Sequence, residues 1–235
     1  MTGEQVYQRI EKDILLGILN PRERLVEAEL CIKLSVSRSL LREVFRRLEG
    51  VGLVTIYANR GVAVRDFTLE EIDQIYFVRS LLERAAIPQI IERITDKDIQ
   101  ELQHLNHGFE MAARDADIGK MILVNLSFHR RIWRLAGNAF LYRSLELAQL
   151  HTEQMRYICW LEAERVNRSM REHREMLAAL AERNASRFAV VVEQQIDGGR
   201  DFYQKVLGIQ SGAPVNQDGV LAGRTDRPNR VASGQ

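Results

Sequence analysis

The chain has few cysteines, no excess of either charge and no long apolar run. Cys31 and Cys159 are its two cysteines, too few for a disulfide framework, and no C-x-x-C pair suggests a zinc ribbon. Thirty-three basic residues oppose 32 acidic ones, so any nucleic-acid surface has to be local. No stretch of about 18 apolar residues predicts a membrane span, and the N-terminus lacks the pattern of a signal peptide. These absences favour a cytoplasmic protein without disulfides.

The chain has enough apolar residues for a core, and its texture changes along its length. Apolar residues make up 46% and charged residues 28%, which excludes disorder of the whole chain. Residues 1–66 mix helical with strand-like patterns, whereas residues 67–207 show helical patterns only. Residues 208–235 are rich in glycine and lack apolar periodicity. We therefore expect a small α/β domain at 1–66, an all-helical domain at 67–207 and a disordered tail at 208–235.

Residues 1–66 follow the pattern of a winged helix-turn-helix. Apolar residues recur every four positions from Val6 to Ile18, which predicts a first helix. Ser37 can cap a later helix through its hydroxyl after a tight turn at Ser35-Val36. The segment also predicts a short helix at 27–34 and a β-hairpin formed by 53–57 and 62–66.

Residues 67–207 predict helices alone, so the fold class is mainly α. Thr68-x-x-Glu71 and Thr95-x-x-Asp98 have the spacing of capping boxes that begin helices. Pro88 is expected to kink or end the first of these helices. With breaks at Gly137, Asn167 and Asn184, the remaining helices are predicted at 96–114, 117–136, 139–166, 169–182 and 186–207.

A row of arginines runs along the third helix. Arg38, Arg42 and Arg46 are spaced four residues apart and share one face, opposite the apolar positions. Arginine can bind guanine edges through two hydrogen bonds or pair with phosphates, so the row suits the major groove of DNA. Arg60, at the tip of the hairpin beside Gly61, can reach the adjacent minor groove or backbone. For an isolated arginine row, a solvated amphipathic helix is the alternative interpretation.

The motifs of residues 5–66 resemble the GntR family of bacterial repressors. Words that stand in the family's order include Val36-Ser37-Arg38, Leu41-Arg42-Glu43, Gly52-Leu53-Val54 and Arg60-Gly61-x-x-Val64. The resemblance implies that operator DNA is contacted by Ser37, Arg38, Ser39 and Arg42, with Arg60 and Gly61 in the wing. The sequence departs from the family at Arg22, Ala28 and Ser39-Leu40, which leaves the operator sequence open.

The helical part resembles the FCD domain, which defines one GntR subfamily. That domain holds a metal through Asp or Asn followed by three histidines on later turns and helices. The corresponding positions here, at spacings of +4, +44 and +22, are Asn125, His129, His173 and Gln195. Because Asn125 and Gln195 are neutral amides, we expect a pocket that binds Zn²⁺, Ni²⁺ or Mn²⁺ weakly, if a divalent metal binds there at all.

Two further residues are candidates for binding an effector. The family has an arginine at the position of Arg79 that can bind an effector carboxylate through its guanidinium. An ion pair with Glu83, four residues later, is the alternative. Ser169 lies four residues before His173 on the same helical face, so it can donate a hydrogen bond to a ligand. Its alternative is a residue that begins a helix after Asn167. The expected effector is a small organic acid with a carboxylate.

Together these patterns predict a ligand-responsive transcription factor rather than an enzyme. No G-x-S-x-G, H-E-x-x-H or Walker A motif is present. We expect a homodimer that places two recognition helices about one helical turn apart on a palindromic operator, and that represses transcription. A constitutive DNA-binding protein without an effector is one alternative. An enzyme with a helical metal pocket is a second, supported by the histidines alone.

Overall fold

The structure confirms a mainly helical chain that begins with a winged helix-turn-helix. The computed structural model describes residues 1–211, except the side chains of residues 154, 155, 158 and 206–211. The elements of the N-terminal domain are α1 (Gly3–Leu15), β1 (Arg24–Leu25), α2 (Glu27–Leu34), α3 (Arg38–Gly50), β2 (Val54–Tyr57) and β3 (Gly61–Val64).

Helix α1 presents its apolar stripe to the core of this domain. Val6, Ile10 and Ile14 are buried, as the four-residue period predicted. The expectation that Ile18 continues the stripe is wrong, because α1 ends at Leu15 and Ile18 is 55% exposed. Gly17 follows with φ of 65°, a left-handed conformation that glycine adopts without steric cost. The apolar period therefore outlasts the helix by one turn.

The turn between α2 and α3 is built as the sequence predicted. Ser35 takes a left-handed conformation with φ of 53° and ends α2. The Ser37 hydroxyl then accepts a hydrogen bond from the backbone N–H of Leu40 at 3.3 Å and caps α3. The buried side of α3 holds Leu41, Val44, Phe45 and Leu48.

The predicted hairpin is present and belongs to a slightly larger sheet. β2 and β3 pair antiparallel, with Val54 opposite Val64 and Tyr57 opposite Gly61. Strand β1, which the sequence did not predict, pairs with the other edge of β3 and gives the order β1-β3-β2. A strand of two residues has no alternating pattern from which it could be predicted.

The second part of the chain folds as an all-helical domain. Both predicted capping boxes are formed, with Glu71 and Asp98 bonded back to their threonines. Pro88 does not end the helix, since α4 continues to Arg93; the exposed position of Pro88 lets water solvate the carbonyl that lost its donor. The helices are α4 (Leu69–Arg93), α5 (Asp96–Arg114), α6 (Ile118–Arg134), α7 (Ala139–Cys159), α8 (Ala163–Ala181) and α9 (Ala185–Ser211).

The break between α7 and α8 falls earlier than the sequence predicted. Helix α7 ends at Cys159, and α8 begins after Glu162, whose backbone is extended. Asn167, the predicted break, lies inside α8, so Ser169 does not begin a helix. No Gly or Pro marks the actual turn, which explains the error. Helix α9 continues to Ser211, and the rest of the expected tail, 212–235, lies outside the described residues.

Helix α7 joins the two domains. Its Leu150 is buried within the apolar core of the N-terminal domain. The Nε2 atom of His151, on the next residue, donates to the carbonyl oxygen of Val51, the residue that ends α3, at 2.7 Å. A Cβ atom on Gly17 would lie 2.7 Å from the ring of Tyr157. Helix α7 therefore approaches the N-terminal domain at two places, beside the end of α3 and beside the turn after α1.

Candidate DNA-binding face and effector pocket

The recognition helix α3 points its arginines away from the core. Arg38, Arg42 and Arg46 are all exposed, and the apolar residues of α3 occupy the opposite side. The hydroxyls of Ser37 and Ser39 lie 3.0 Å apart at the exposed start of the helix. The predicted DNA-contacting side chains of α3 therefore share one open face.

The wing lies beside the start of α3. Arg60 is exposed in the turn between β2 and β3, and Gly61 has φ of 93°. Gly61 and Arg38 line the same groove, together with Arg24 on β1. The structure thus brings the predicted wing and recognition residues to one side of the domain. It also adds Arg24, an exposed cation that the sequence did not single out because its strand was not predicted.

Arg42 has a partner that sequence reasoning missed. Its Nε atom donates to both carboxylate oxygens of Glu27, at 3.0 and 3.1 Å. Glu27 is the first residue of α2, 15 positions away, so no helical spacing indicated the pair. Because the contact is made through Nε, the two outer guanidinium nitrogens can still reach a base or phosphate.

The four residues carried over to the pocket meet inside the helical domain. Asn125 and His129 lie one turn apart on α6, His173 on α8 and Gln195 on α9, and all four are at most 3% exposed. The Nε2 atoms of Gln195 and His129 are 3.4 Å apart. The rings of His129 and His173 meet edge to face with centroids 5.5 Å apart. The residues that the resemblance to the FCD domain assigned to one site therefore lie together in the structure.

Both histidines are neutral in this environment. Burial lowers the pKa of His173 to about 3, with further contributions from Arg156 and Arg165. Burial, followed by the nearby His173, holds the pKa of His129 well below its ordinary range. The two imidazoles can therefore act as ligands or hydrogen-bonding groups at neutral pH without first losing a proton.

As a metal site, this cluster lacks negative charge. Among the residues that the structure describes, no partner is found for five ring or amide atoms of this cluster: Asn125 Oδ1, His129 Nδ1, Gln195 Oε1 and both nitrogens of His173. Two imidazoles and two amides nevertheless supply no anionic ligand. Within the described residues, no three His, Cys, Asp or Glu side chains are grouped closely enough to hold a metal. The donor set does not fit a tight transition-metal site.

Arg79 faces the pocket but is already paired. It is 1% exposed, and its Nε donates to Glu83 at 2.7 Å, which is the ion pair that the i, i+4 spacing offered as an alternative. Its Nη1 donates to the Thr152 hydroxyl of α7 at 3.1 Å. Ser169 is buried, and its hydroxyl has no partner in the described part of the chain, so it is the freer of the two predicted effector-binding groups.

Helix α7 adds a group of buried polar residues that could not be found from the sequence. Glu153 is fully buried, and its Oε1 accepts hydrogen bonds from the amides of Asn125, at 3.2 Å, and Gln149. The Nε of Arg156 lies 2.8 Å from the same oxygen. Burial raises the pKa of Glu153. Apolar and polar side chains alternate around α7 without a clear apolar stripe. No periodicity therefore indicated that Gln149, Glu153 and Arg156 face inward.

Comparison with known proteins assigns both domains. The model of the bacterial regulatory proteins, gntR family, matches residues 2–64, and the model of the FCD domain matches residues 74–198. The chain belongs to the GntR family, with an FCD domain. It is a DNA-binding transcriptional regulator, as its motifs predicted.

The relatives of this GntR-family chain are transcriptional regulators, and the matches cover most of the length of each relative. The Nta operon transcriptional regulator of Aminobacter aminovorans is 28% identical over 215 residues, which cover 90% of this chain and 96% of that protein. The HTH-type transcriptional repressor RspR of Escherichia coli is 22% identical, with 77% and 80% covered. McbR/YncC of E. coli has the same fold, with a TM-score of 0.78 at 21% identity and coverage of 87% and 98%. These matches confirm a regulator rather than an enzyme.

The GntR-family chain was also expected to have no membrane span. Among residues 1–211, the structure shows no helix with the length and apolar character needed to cross a membrane.

Proposed function

We propose that this GntR-family regulator is a homodimeric repressor that binds a palindromic operator and releases it when a small organic acid enters the helical domain. It acts in the cytoplasm, where its DNA lies. The observation that carries the effector assignment is the set of buried polar atoms around His173, Ser169 and Glu153 that have no partner among the described residues. Buried polar groups are nearly always satisfied, so such a set favours a ligand.

The DNA-binding part of the proposal rests on the exposed arginines of α3. Arg38 and Arg42 read base edges or phosphates in the major groove, and Arg60 of the wing contacts the neighbouring groove or backbone. Two copies related by a twofold axis place two such helices about one helical turn apart, which requires a palindromic site. Repression is proposed by analogy with RspR of E. coli, which is a transcriptional repressor.

Helix α7 is the element that couples the pocket to the DNA-binding domain. Thr152 and Glu153 face the pocket, while Leu150 and His151 contact the N-terminal domain. These residues occupy little more than one turn, so a ligand that displaces Glu153 also displaces the residues that support the end of α3. A coupling free energy of roughly 1–3 kcal/mol is typical of such systems.

Operator selection tests the DNA-binding part. The purified protein is incubated with a pool of random duplexes, the bound DNA is sequenced, and gel-shift titrations are made on the selected site. We expect two inverted half-sites about 10 base pairs apart. Arg38→Ala and Arg42→Ala should each lose roughly 1–3 kcal/mol of specific binding. Arg171→Ala, an exposed arginine of α8, is the matched control.

Selected sites without twofold symmetry would contradict the homodimeric operator, and unchanged affinity in both arginine variants would contradict the recognition helix. A panel of small carboxylic acids then tests the effector, by thermal shift and by release of the operator. If operator binding is intact but no acid changes either readout, the protein is a constitutive DNA-binding protein instead.

A further inference from the structure

Glu153 has one carboxylate oxygen crowded with donors and the other without a partner. Asn125 and Gln149 donate hydrogen bonds to Oε1, and Arg156 Nε lies 2.8 Å from the same oxygen, whereas Oε2 is buried and has no hydrogen-bond partner among the described residues. An ionised carboxylate accepts hydrogen bonds on both oxygens. Oε2 therefore requires a donor that the described residues do not supply.

The two amides beside Glu153 present further acceptors to the same region. Since the nitrogens of Asn125 and Gln149 are fixed by bonds to Oε1, their carbonyl oxygens have to point elsewhere. Asn125 Oδ1 and Gln149 Oε1 are both buried without partners. With Glu153 Oε2 they make three buried acceptor oxygens on the residues around the Glu153 carboxylate, which we call the acceptor wall. A protonated amine, which carries three N–H donors and a positive charge, has the chemistry that this wall requires.

Hydrogen-bond donors lie on the other side of Arg156. Its guanidinium lies 5.4 Å from the ring centroid of Trp160, and the indole Nε1 of Trp160 is buried without a partner. The Ser169 hydroxyl also has no partner among the described residues, and neither do the two nitrogens of His173, one of which carries the N–H of the neutral ring. Phe109 contacts both the Trp160 and His173 rings, at 5.3 and 4.9 Å, so these donors share one neighbourhood. A carboxylate is the group that such donors and Arg156 can bind.

Charge pairing decides between an acid, an amine and a molecule that is both. Glu153 and Arg156 neutralise each other, and each is at most 8% exposed. A carboxylate that captured Arg156 alone would leave Glu153 buried without a counter-charge, and an amine alone would do the same to Arg156. Either outcome is costly. A zwitterion inserted between them gives each charge a new partner and leaves the net charge of the pocket unchanged.

We infer that the effector is an amino acid, whose ammonium group binds Glu153, Asn125 and Gln149 and whose carboxylate binds Arg156, Trp160 and Ser169. This inference rests on the proposed function, because it specifies the organic acid that the pocket accepts. The neighbouring cavity between Tyr76, Thr152 and Trp160 measures about 10 Å³, room for about one water molecule. Because an amino acid is larger than this space, its binding has to separate Glu153 from Arg156. Glu153 lies on the same turn of α7 as His151, which contacts the N-terminal domain.

The experiment uses the full chain, treated with a chelator and kept in chelator, with triplets of matched probes. Each L-amino acid is compared with its deaminated acid and its decarboxylated amine, as L-leucine is with 4-methylpentanoic acid and 3-methylbutylamine. Melting temperature and operator release are recorded. At least one amino acid should raise the melting temperature and release the operator, while its two partners bind at least about tenfold more weakly, the factor typical of a lost hydrogen bond to a charged group.

Glu153→Gln tests the assigned residue, because the new amide keeps the shape but places a donor where the ammonium should bind. Its affinity for the active amino acid should fall at least about tenfold. Glu162→Gln removes an exposed charge next to α8 and should not change it. An unchanged affinity in Glu153→Gln overturns the assignment.

The probe comparison keeps the two levels of inference apart, and it needs no variant. If deaminated acids bind as well as amino acids, the organic-acid effector stands and the amino-acid inference is wrong. If binding appears only when divalent metal replaces the chelator, the acceptor wall is a metal site and the inference is likewise wrong. If no probe of any kind acts while operator binding is intact, both the effector and its class are overturned.

Discussion

His129 and His173 show how burial fixes the state of single residues. Each ring is fully buried among aromatic neighbours, with Phe128 stacked on His173 at 4.5 Å and Trp133 beside His129 at 5.8 Å. Such surroundings disfavour the charged imidazolium. An unfolded chain has no such constraint, so the two states bind protons differently in mildly acidic solution.

Acid should therefore destabilise the folded protein through His173. The folded-state pKa of His173 lies at about 3, below the unfolded value of about 6.5. The unfolded state therefore binds more protons between these values, and the free energy of unfolding falls as the pH drops below about 6.5. Each such histidine contributes a slope of roughly 1.4 kcal/mol per pH unit. Denaturant titrations at pH 7, 6 and 5, made in chelator, measure it.

His173→Gln should reduce this slope, since glutamine does not titrate. His104→Gln, which removes an exposed imidazole on α5, is the control and should keep the slope of the natural protein. Equal slopes in all three proteins would show that His173 accepts a proton in the folded state, and the neutral pocket would have to be abandoned.

The second prediction concerns the donor set of the FCD pocket. Asn125→Asp supplies a negative ligand, and Gln195→His supplies a third imidazole, the types that transition metals prefer. The double variant should bind Zn²⁺ or Ni²⁺ much more tightly than the natural protein. The new carboxylate also faces Glu153, where Asn125 donates at present. The metal-free variant should therefore be destabilised and regain stability as metal is added.

Metal titration calorimetry after chelator treatment compares the two proteins, with His173→Gln added to the double variant as a control that removes one ligand. Equally tight, near-stoichiometric binding in the natural protein would show that amides suffice, contrary to the weak binding expected here. Absence of binding in both proteins would mean that the four side chains do not form one coordination sphere.

Spacing could locate the pocket, but it could not reveal its neighbours. Asn125, His129 and His173 were found because a family pattern fixes their separations along the chain. Glu153 lies on a different helix, and its contacts depend on how α6 and α7 pack, which no sequence separation encodes. The same holds for Glu27 and Arg42. Helical spacing thus predicted the contact of Arg79 with Glu83, which lies on the same helix. It could not predict contacts between residues of different helices.

At the scale of elements, local chemistry decided which boundaries could be predicted. The capping boxes at Thr68 and Thr95 give strong start signals, and α4 and α5 begin at those places. The turn from Trp160 to Glu162 has no such signal, because the packing of α8 against α9 and α5, rather than a breaker residue, sets it. Propensity is a weak prior that tertiary packing overrides.

The contact between α7 and the end of α3 leads to the third prediction. His151→Ala removes the donor to the Val51 carbonyl and the ring contact with Phe67 at 5.3 Å. We expect a loss of about 1 kcal/mol of stability and faster hydrogen exchange of the amides just after α3. Exchange measured by mass spectrometry on the natural and variant proteins tests this, with His107→Ala, an exposed histidine of α5, as the control.

A double-mutant cycle with Gly52 makes the test sharper. A Cβ atom on Gly52 would lie 2.9 Å from His151 Nε2, so Gly52→Ala should cost more in the natural protein than in His151→Ala. The strain from the positive φ of Gly52 is common to both backgrounds and cancels. If the losses in free energy of unfolding caused by Gly52→Ala and His151→Ala simply add in the double variant, His151 of α7 does not contact this turn.

At the scale of the whole molecule, helix α4 carries apolar side chains on two opposite sides. One side holds Ile72, Tyr76 and Ile90 in the core. On the other side Phe77 is 65% exposed and Leu81 is 53% exposed, and Val78, Ala85 and Pro88 are exposed near them. A helix that is apolar all round is normally covered all round. This outer face of α4 is where we expect the second copy of the homodimer to pack.

The last prediction follows from that face. Leu81→Glu places a charge at its centre, and in the dimer two like charges would meet near the twofold axis and lose their hydration. The variant should sediment as a monomer at concentrations where the natural protein is dimeric. Its affinity for a palindromic operator should fall steeply, because one recognition helix then binds one half-site. Phe140→Glu, at an apolar position that is 81% exposed on α7, is the control. Sedimentation equilibrium and gel-shift titration of all three proteins distinguish the outcomes: a dimeric Leu81→Glu protein, or a monomeric Phe140→Glu protein, would place the interface elsewhere than on α4.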